Sequence, residues 1–90
     1  MKRIILDTAR IVDEASLFRE FALQASLPDY FGRNLDALFD FLATDLPGPV
    51  EIVWKKPAIV RVDREALLAP LRQVFRDAAL ERPDLKFTEE

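Results

Sequence analysis

Leu27-Pro28-Asp29-Tyr30-Phe31-Gly32-Arg33-Asn34-Leu35-Asp36-Ala37-Leu38-Phe39-Asp40 joins an aromatic loop directly to a helix that carries two carboxylates side by side. Asp36 and Asp40 stand four residues apart. On a helix they are neighbours on one face, where like charges cost roughly a few tenths of a kcal/mol. At about 100° per residue, Leu35, Leu38 and Leu42 share one stripe, Asp36, Asp40 and Ala43 lie well off it, and Phe39 falls between. The leucines should anchor the helix and leave an acidic ridge with an aromatic rim. Pro28 disfavours helical geometry at Leu27, and Gly32 permits a left-handed backbone, so a tight, shaped loop precedes the helix. Asn34 can cap the helix, which is expected to end near Ala43.

Upstream, Lys2 to Leu6 reads as a buried strand. Asp13 can cap a helix from about Glu14 to Gln24, with Leu17, Phe18, Phe21, Ala22 and Ala25 on its core side. Downstream, Leu46-Pro47-Gly48-Pro49 is turn chemistry, and Val50-Glu51-Ile52-Val53-Trp54 alternates as a strand does. Residues 55–62 stay open between extension and a short helix. Asp63 can cap a further helical stretch with Leu67, Leu71, Val74, Phe75 and Ala78 inward. Pro70 either starts a new helix there or kinks a continuous one. Arg82-Pro83 ends it, and Leu85-Lys86-Phe87 can form a third strand before an acidic tail.

The order is strand, two helices, strand, helix, strand, and helical crossovers let the strands run parallel. Residues 1–90 are therefore expected to form one α/β domain, a three-stranded parallel sheet packed with three to four helices. The chain has no cysteine and no histidine. Disulfides, thiolate metal sites, Cys or His nucleophile and base pairs, and imidazole switches are thereby excluded. The apolar run after Lys2 and Arg3 stops at Asp7, too short for a signal peptide or membrane span, so a cytoplasmic location is expected. Sixteen acidic and thirteen basic residues give a net charge of −3. That balance argues against direct nucleic-acid binding and suits a basic protein partner. Between Leu27 and Leu46 the bias sharpens, with Asp29, Asp36, Asp40 and Asp45 against Arg33 alone.

The Leu27–Asp40 segment closely resembles that of the barstar family of intracellular ribonuclease inhibitors, which reads LPxYYGxNLDALWD. Trp54 and Gln73-Val74-Phe75-Arg76-Asp77-Ala78 extend the resemblance without a gap over nearly the whole chain. It implies a barstar-like fold and a protein that occludes the active site of a basic, extracellular-type, barnase-like ribonuclease. Residue by residue, Asp40 matches the principal anchor and Asp36 a second contact, with carboxylates standing in for substrate phosphates. Tyr30 matches an aromatic that packs on the catalytic histidine, Gly32 and Asn34 belong to the binding loop, and Asp77 matches an acidic position on the last helix. Phe39 stands where the family has Trp, Phe31 where it has Tyr, Asp45 near an aromatic position, and Asp77 is one methylene shorter than the family's Glu. The acidic centre is retained while the rim differs, which implies a different cognate nuclease.

Each residue also has a plainer reading. Asp36 and Asp40 could form a solvated face, but the adjoining loop motif favours docking. Tyr30 could lie over the core edge, and partner contact is preferred; Phe39 reads equally as core or rim. Asn34 caps the helix on either view, Asp77 could be simply solvated, and Trp54 reads as core. Adjacent exposed carboxylates lack the asymmetry an acid–base pair requires, and two glycines cannot build a phosphate cradle. The expectation is an inhibitor, not an enzyme, with no cofactor and no metal, off the membrane and monomeric when free. Tyr30, Phe31, Gly32, Asn34, Asp36, Phe39, Asp40 and Asp77 are its partner-binding residues. The alternative is a non-inhibitory module that docks a basic partner through the same ridge.

Overall fold

A computed structural model describes residues 2–25, 27, 34–56 and 62–90, apart from the side chains of Val62 and Arg64. Three strands, β1 (Lys2–Asp7), β2 (Val50–Lys55) and β3 (Leu85–Glu89), form a parallel sheet in the order β1-β2-β3. Three α-helices, α1 (Glu14–Gln24), α2 (Leu35–Asp40) and α3 (Val62–Glu81), join them. The expected α/β architecture and strand direction are thus observed. In-register pairing sets Ile4 beside Ile52 and Phe87, and Leu6 beside Trp54, so one sheet face presents a continuous apolar surface. The reading of β2 as alternating is too simple, because Val53 on the opposite face is buried as well.

The helices bury their apolar stripes on that surface. Leu17, Phe18 and Phe21 of α1, Leu38 of α2, and Leu68, Leu71, Phe75 and Ala78 of α3 join Ile4, Leu6, Val50, Ile52 and Trp54 in one cluster. Aromatic rings run through it. Phe21 meets Phe41 edge-on at 6.1 Å and Phe75 at 6.1 Å, while Phe75 stacks on Phe87 at 5.9 Å. Trp54 lies 5.9 Å from Phe75, which fits the reading of Trp54 as core. Offset and edge contacts of this kind add to the burial of the rings themselves.

Capping explains where α1 starts. Asp13 accepts from the Ser16 N–H at 2.8 Å, and Ser16 Oγ accepts in return from the Asp13 N–H at 3.0 Å. Each residue satisfies an amide the helix leaves open. Ala22, read as core, is exposed. At the other end of α1 the Gln24 amide donates to Ile5 O and accepts from Ile5 N at 2.6 and 2.8 Å. It thereby occupies backbone groups that edge strand β1 would otherwise leave unpaired.

Three more expectations are corrected. Asp63 does not cap α3, which already includes Val62; it lies in the first turn with Glu65, where a negative charge meets the positive end of the helix dipole. Leu68 is buried where Leu67 was expected and Leu67 is only half-buried, while Leu71, Phe75 and Ala78 are buried as expected. The acidic tail is largely strand: β3 continues through Thr88 and Glu89, and Glu89 pairs with Arg72 and Arg76 of α3. Pro70 lies inside one continuous helix. It is exposed, as is Ala66, whose carbonyl the missing N–H would have met, so water can take that acceptor. Of the open stretch 55–62, Lys55 ends β2 and Val62 begins α3, while 57–61 lie outside the described residues.

Candidate functional site

Helix α2 begins where its sequence places it. Asn34 Oδ1 accepts from the Ala37 N–H at 2.8 Å, and Asn34 O accepts from the Leu38 N–H at 3.0 Å. Leu38 and Leu42 are fully buried, and Leu35 and Phe39 are half-buried against the core. Phe39 therefore takes the intermediate place its angular position suggested, with one part of the ring on the core and another open. Asp36 and Asp40 are exposed on the far side. The predicted division of the helix into an anchored stripe and an acidic ridge is present.

The end of this helix differs from expectation. After Asp40 the chain widens into a π-helical turn over Phe41–Asp45, closed by Leu46 N–H donating to Phe41 O at 2.8 Å. Thr44 Oγ1 donates to Asp40 O at 2.6 Å and to Asp45 Oδ1 at 3.2 Å. The wider turn carries Phe41 into the core beside Phe21, so Phe41 is an anchor that a simple leucine stripe overlooks. At about 100° per residue Phe41 sits only about 60° from Leu38, which was the available signal. Widened turns of this kind recur at functional sites.

Charge at the site is uncompensated within the described structure. Among the described residues no cation pairs with Asp36 or Asp40. Arg72 and Arg76 of α3 are engaged elsewhere, Arg72 with Glu65 at 2.7 Å and Arg76 with Glu89. Asp77, exposed on α3, accepts from Gln73 Nε2 at 2.8 Å. Helices α2 and α3 pack against each other. Among the described residues no three acidic side chains gather as a cation site would require. Tyr30, Phe31 and Gly32, the loop half of the expected surface, lie outside the described residues.

Three carboxylates in other parts of the fold have lowered pKa values. Asp13 is lowered, first by the Ser16 backbone N–H; Glu51 first by the Thr88 hydroxyl; Asp84 first by the Arg82 side chain. All three serve internal structure. The ridge thus offers hydrogen-bond acceptors and negative charge to a partner, on a helix whose other side is held by the core. Compared with known proteins, residues 1–88 match the family model described as Barstar (barnase inhibitor).

Proposed function

Because the chain belongs to the barstar family, we propose that it inhibits a small basic ribonuclease by seating the α2 ridge in the nuclease active site. Members of that family are inhibitors of the barnase type and not enzymes. The carrying observation is the pair of exposed carboxylates, Asp36 and Asp40, with which no cation pairs among the described residues, on a helix anchored from behind. Such a pair disfavours the isolated helix. A cationic phosphate-binding pocket reverses that penalty, since carboxylates accept strong, often bidentate, bonds from arginine in the geometry a phosphate would use.

In this reading Asp40 is the principal anchor and Asp36 the second phosphate mimic. Tyr30, Phe31 and Gly32 supply the aromatic loop, Phe39 the rim, and Asp77 a contact from α3. Asn34 acts indirectly by fixing the helix start. A preorganised helix loses little freedom on docking, so more of the contact energy appears as affinity. Net negative charge speeds the approach of a basic partner, an effect of which the barnase–barstar pair is itself a standard example. The free protein is a monomer in the cytoplasm and acts by occlusion alone.

Titration of the purified protein into RNA-cleavage assays with barnase and other small basic microbial ribonucleases tests the reading. A stoichiometric loss of cleavage is expected for at least one, weakened more by Asp40→Ala than by Asp77→Ala. Inhibition of none would sink the proposal, and capture of a basic partner without nuclease activity would replace it with a plain docking role.

A further inference from the structure

We propose that Arg82 is a positioning residue for the acidic helix: its guanidinium clamps the C-terminal end of the α2 and π-turn unit, and Asp84 and Gly48 complete the clamp. The proposal rests on the reading of α2 as the docking element, and adds how that element is held at its far end.

A helical segment ends with carbonyls that have no partner inside it. Here one side chain from a remote part of the chain meets two of them. Arg82 Nη1 donates to Leu42 O at 2.9 Å and to Leu46 O at 2.6 Å. The opposite edge of the same guanidinium donates from Nε and Nη2 to Asp84 Oδ1 and Oδ2, at 2.9 Å each. Arginine offers five N–H donors in a rigid planar fork, so one side chain meets two carbonyls and grips both oxygens of a carboxylate, which the three donors of a lysine ammonium do not provide. Its positive charge also faces the negative end of the helix dipole. The Arg82 side chain is only 12% exposed while Asp84 is 47% exposed, so the guanidinium is packed against the helix end and its carboxylate partner faces solvent.

Two further observations support the assignment. Asp84 is itself tied to the sheet, since its carbonyl accepts from the Val50 N–H at 2.9 Å where β2 begins. The clamp therefore links the end of the docking unit to the most central strand. Gly48 has no positive φ, so its role is space. A Cβ there would lie 2.6 Å from Arg82 Nη2 and 2.8 Å from Asp84 Cγ, and would collide with the Asp84 carboxylate oxygen. Any side chain at this position forces the Asp84 carboxylate, the Arg82 Nη2 end, or both, to move.

Leu42, whose carbonyl is held, follows Asp40 by two residues, or about 3 Å along a helix axis. Asn34 fixes one end of the ridge and Arg82 the other. Release of the second end lets the π turn reshape and the Asp40 carboxylate wander, which a site built for close charge geometry tolerates poorly.

Arg82→Lys keeps the charge and removes the fork; Gly48→Ala leaves both partners present and pushes them apart. Amide hydrogen exchange reads the clamp without any partner. Both variants are expected to speed exchange in 42–46 by roughly tenfold or more while β2 amides change by less than about twofold, the mark of a local rather than global opening. Binding to barnase, or to whichever small basic ribonuclease the cleavage assays show it to inhibit, is expected to show faster dissociation and a nearly unchanged association rate. Equal acceleration in β2 and in 42–46, or no change in 42–46, overturns the clamp, and unchanged dissociation from the inhibited ribonuclease overturns its role in positioning the ridge. If the unsubstituted protein does not bind barnase or any other basic ribonuclease, the docking reading fails, while the exchange arm still decides the clamp.

Discussion

Replacing Leu38 with Ala tests whether the acidic ridge is held from behind by its buried stripe. Leu38 has no exposed surface and belongs to the core cluster with Phe41, Leu42 and Leu46. Truncating a buried leucine costs about 2–5 kcal/mol, and the spread reflects how far the surroundings collapse into the space left behind. Collapse is restricted here, because Asn34 caps one end of the unit and Arg82 holds carbonyls at the other. A mid-range loss of about 3 kcal/mol is therefore expected. At roughly 4–8 °C per kcal/mol for a domain of this size, the melting temperature should fall by about 12–24 °C. A loss of this size is a large share of the ~5–15 kcal/mol typical of folded domains, yet leaves the variant folded in the cold. Urea unfolding followed by far-ultraviolet circular dichroism measures it, the midpoint moving while the slope stays constant. Leu80→Ala is the control, since Leu80 is 85% exposed, and should lie within about 0.5 kcal/mol of the parent. A Leu38→Ala loss below about 1 kcal/mol, or one no larger than the control, would refute the anchoring argument.

Other outcomes follow from the same geometry. Asn34→Ala removes the bond to the Ala37 N–H and should destabilise by about 1 kcal/mol, whereas Asn34→Gly should cost only a few tenths, readable in the same urea series. Asp40→Asn relieves repulsion with Asp36 and the clash with the negative helix end, so it should raise stability by roughly a few tenths of a kcal/mol while weakening nuclease binding. A variant that lost both stability and binding would assign Asp40 an internal role. Acid should act through Asp13, Glu51 and Asp84, whose carboxyls are held low by Ser16, Thr88 and Arg82 respectively. A depressed folded pKa contributes stability above the unfolded value and loses it as pH falls through the folded one. Stability should stay level down to about pH 5 and fall below about pH 4. With no histidine in the chain, a step between about pH 5.5 and 7.5 would contradict this account.

How far the sequence reached varies with the range of the interaction involved. The bounds of α1 and the caps Asp13 and Asn34 were legible because a cap and its amide lie within three residues of each other. The inward placement of Leu38 and Leu42, and the outward placement of Asp36 and Asp40, followed from period alone. The helix end did not, because Phe41 is drawn inward by Phe21 on another helix and Arg82 closes the turn from across the fold. Nor did the length of β3: Thr88 and Glu89 read as an acidic tail until Glu51, Arg72 and Arg76 are placed beside them.

Local sequence, then, decided which side of α2 is apolar, where it starts and which carboxylates it exposes, since those depend on neighbours one turn apart. Tertiary structure alone decided where that helix ends and how firmly it is held. The groups responsible, Phe21 and the Arg82–Asp84 pair, reach the end of that helix only after folding. Their positions in the chain carry no mark of that proximity, because contacts between distant segments are set by the packing of the whole core.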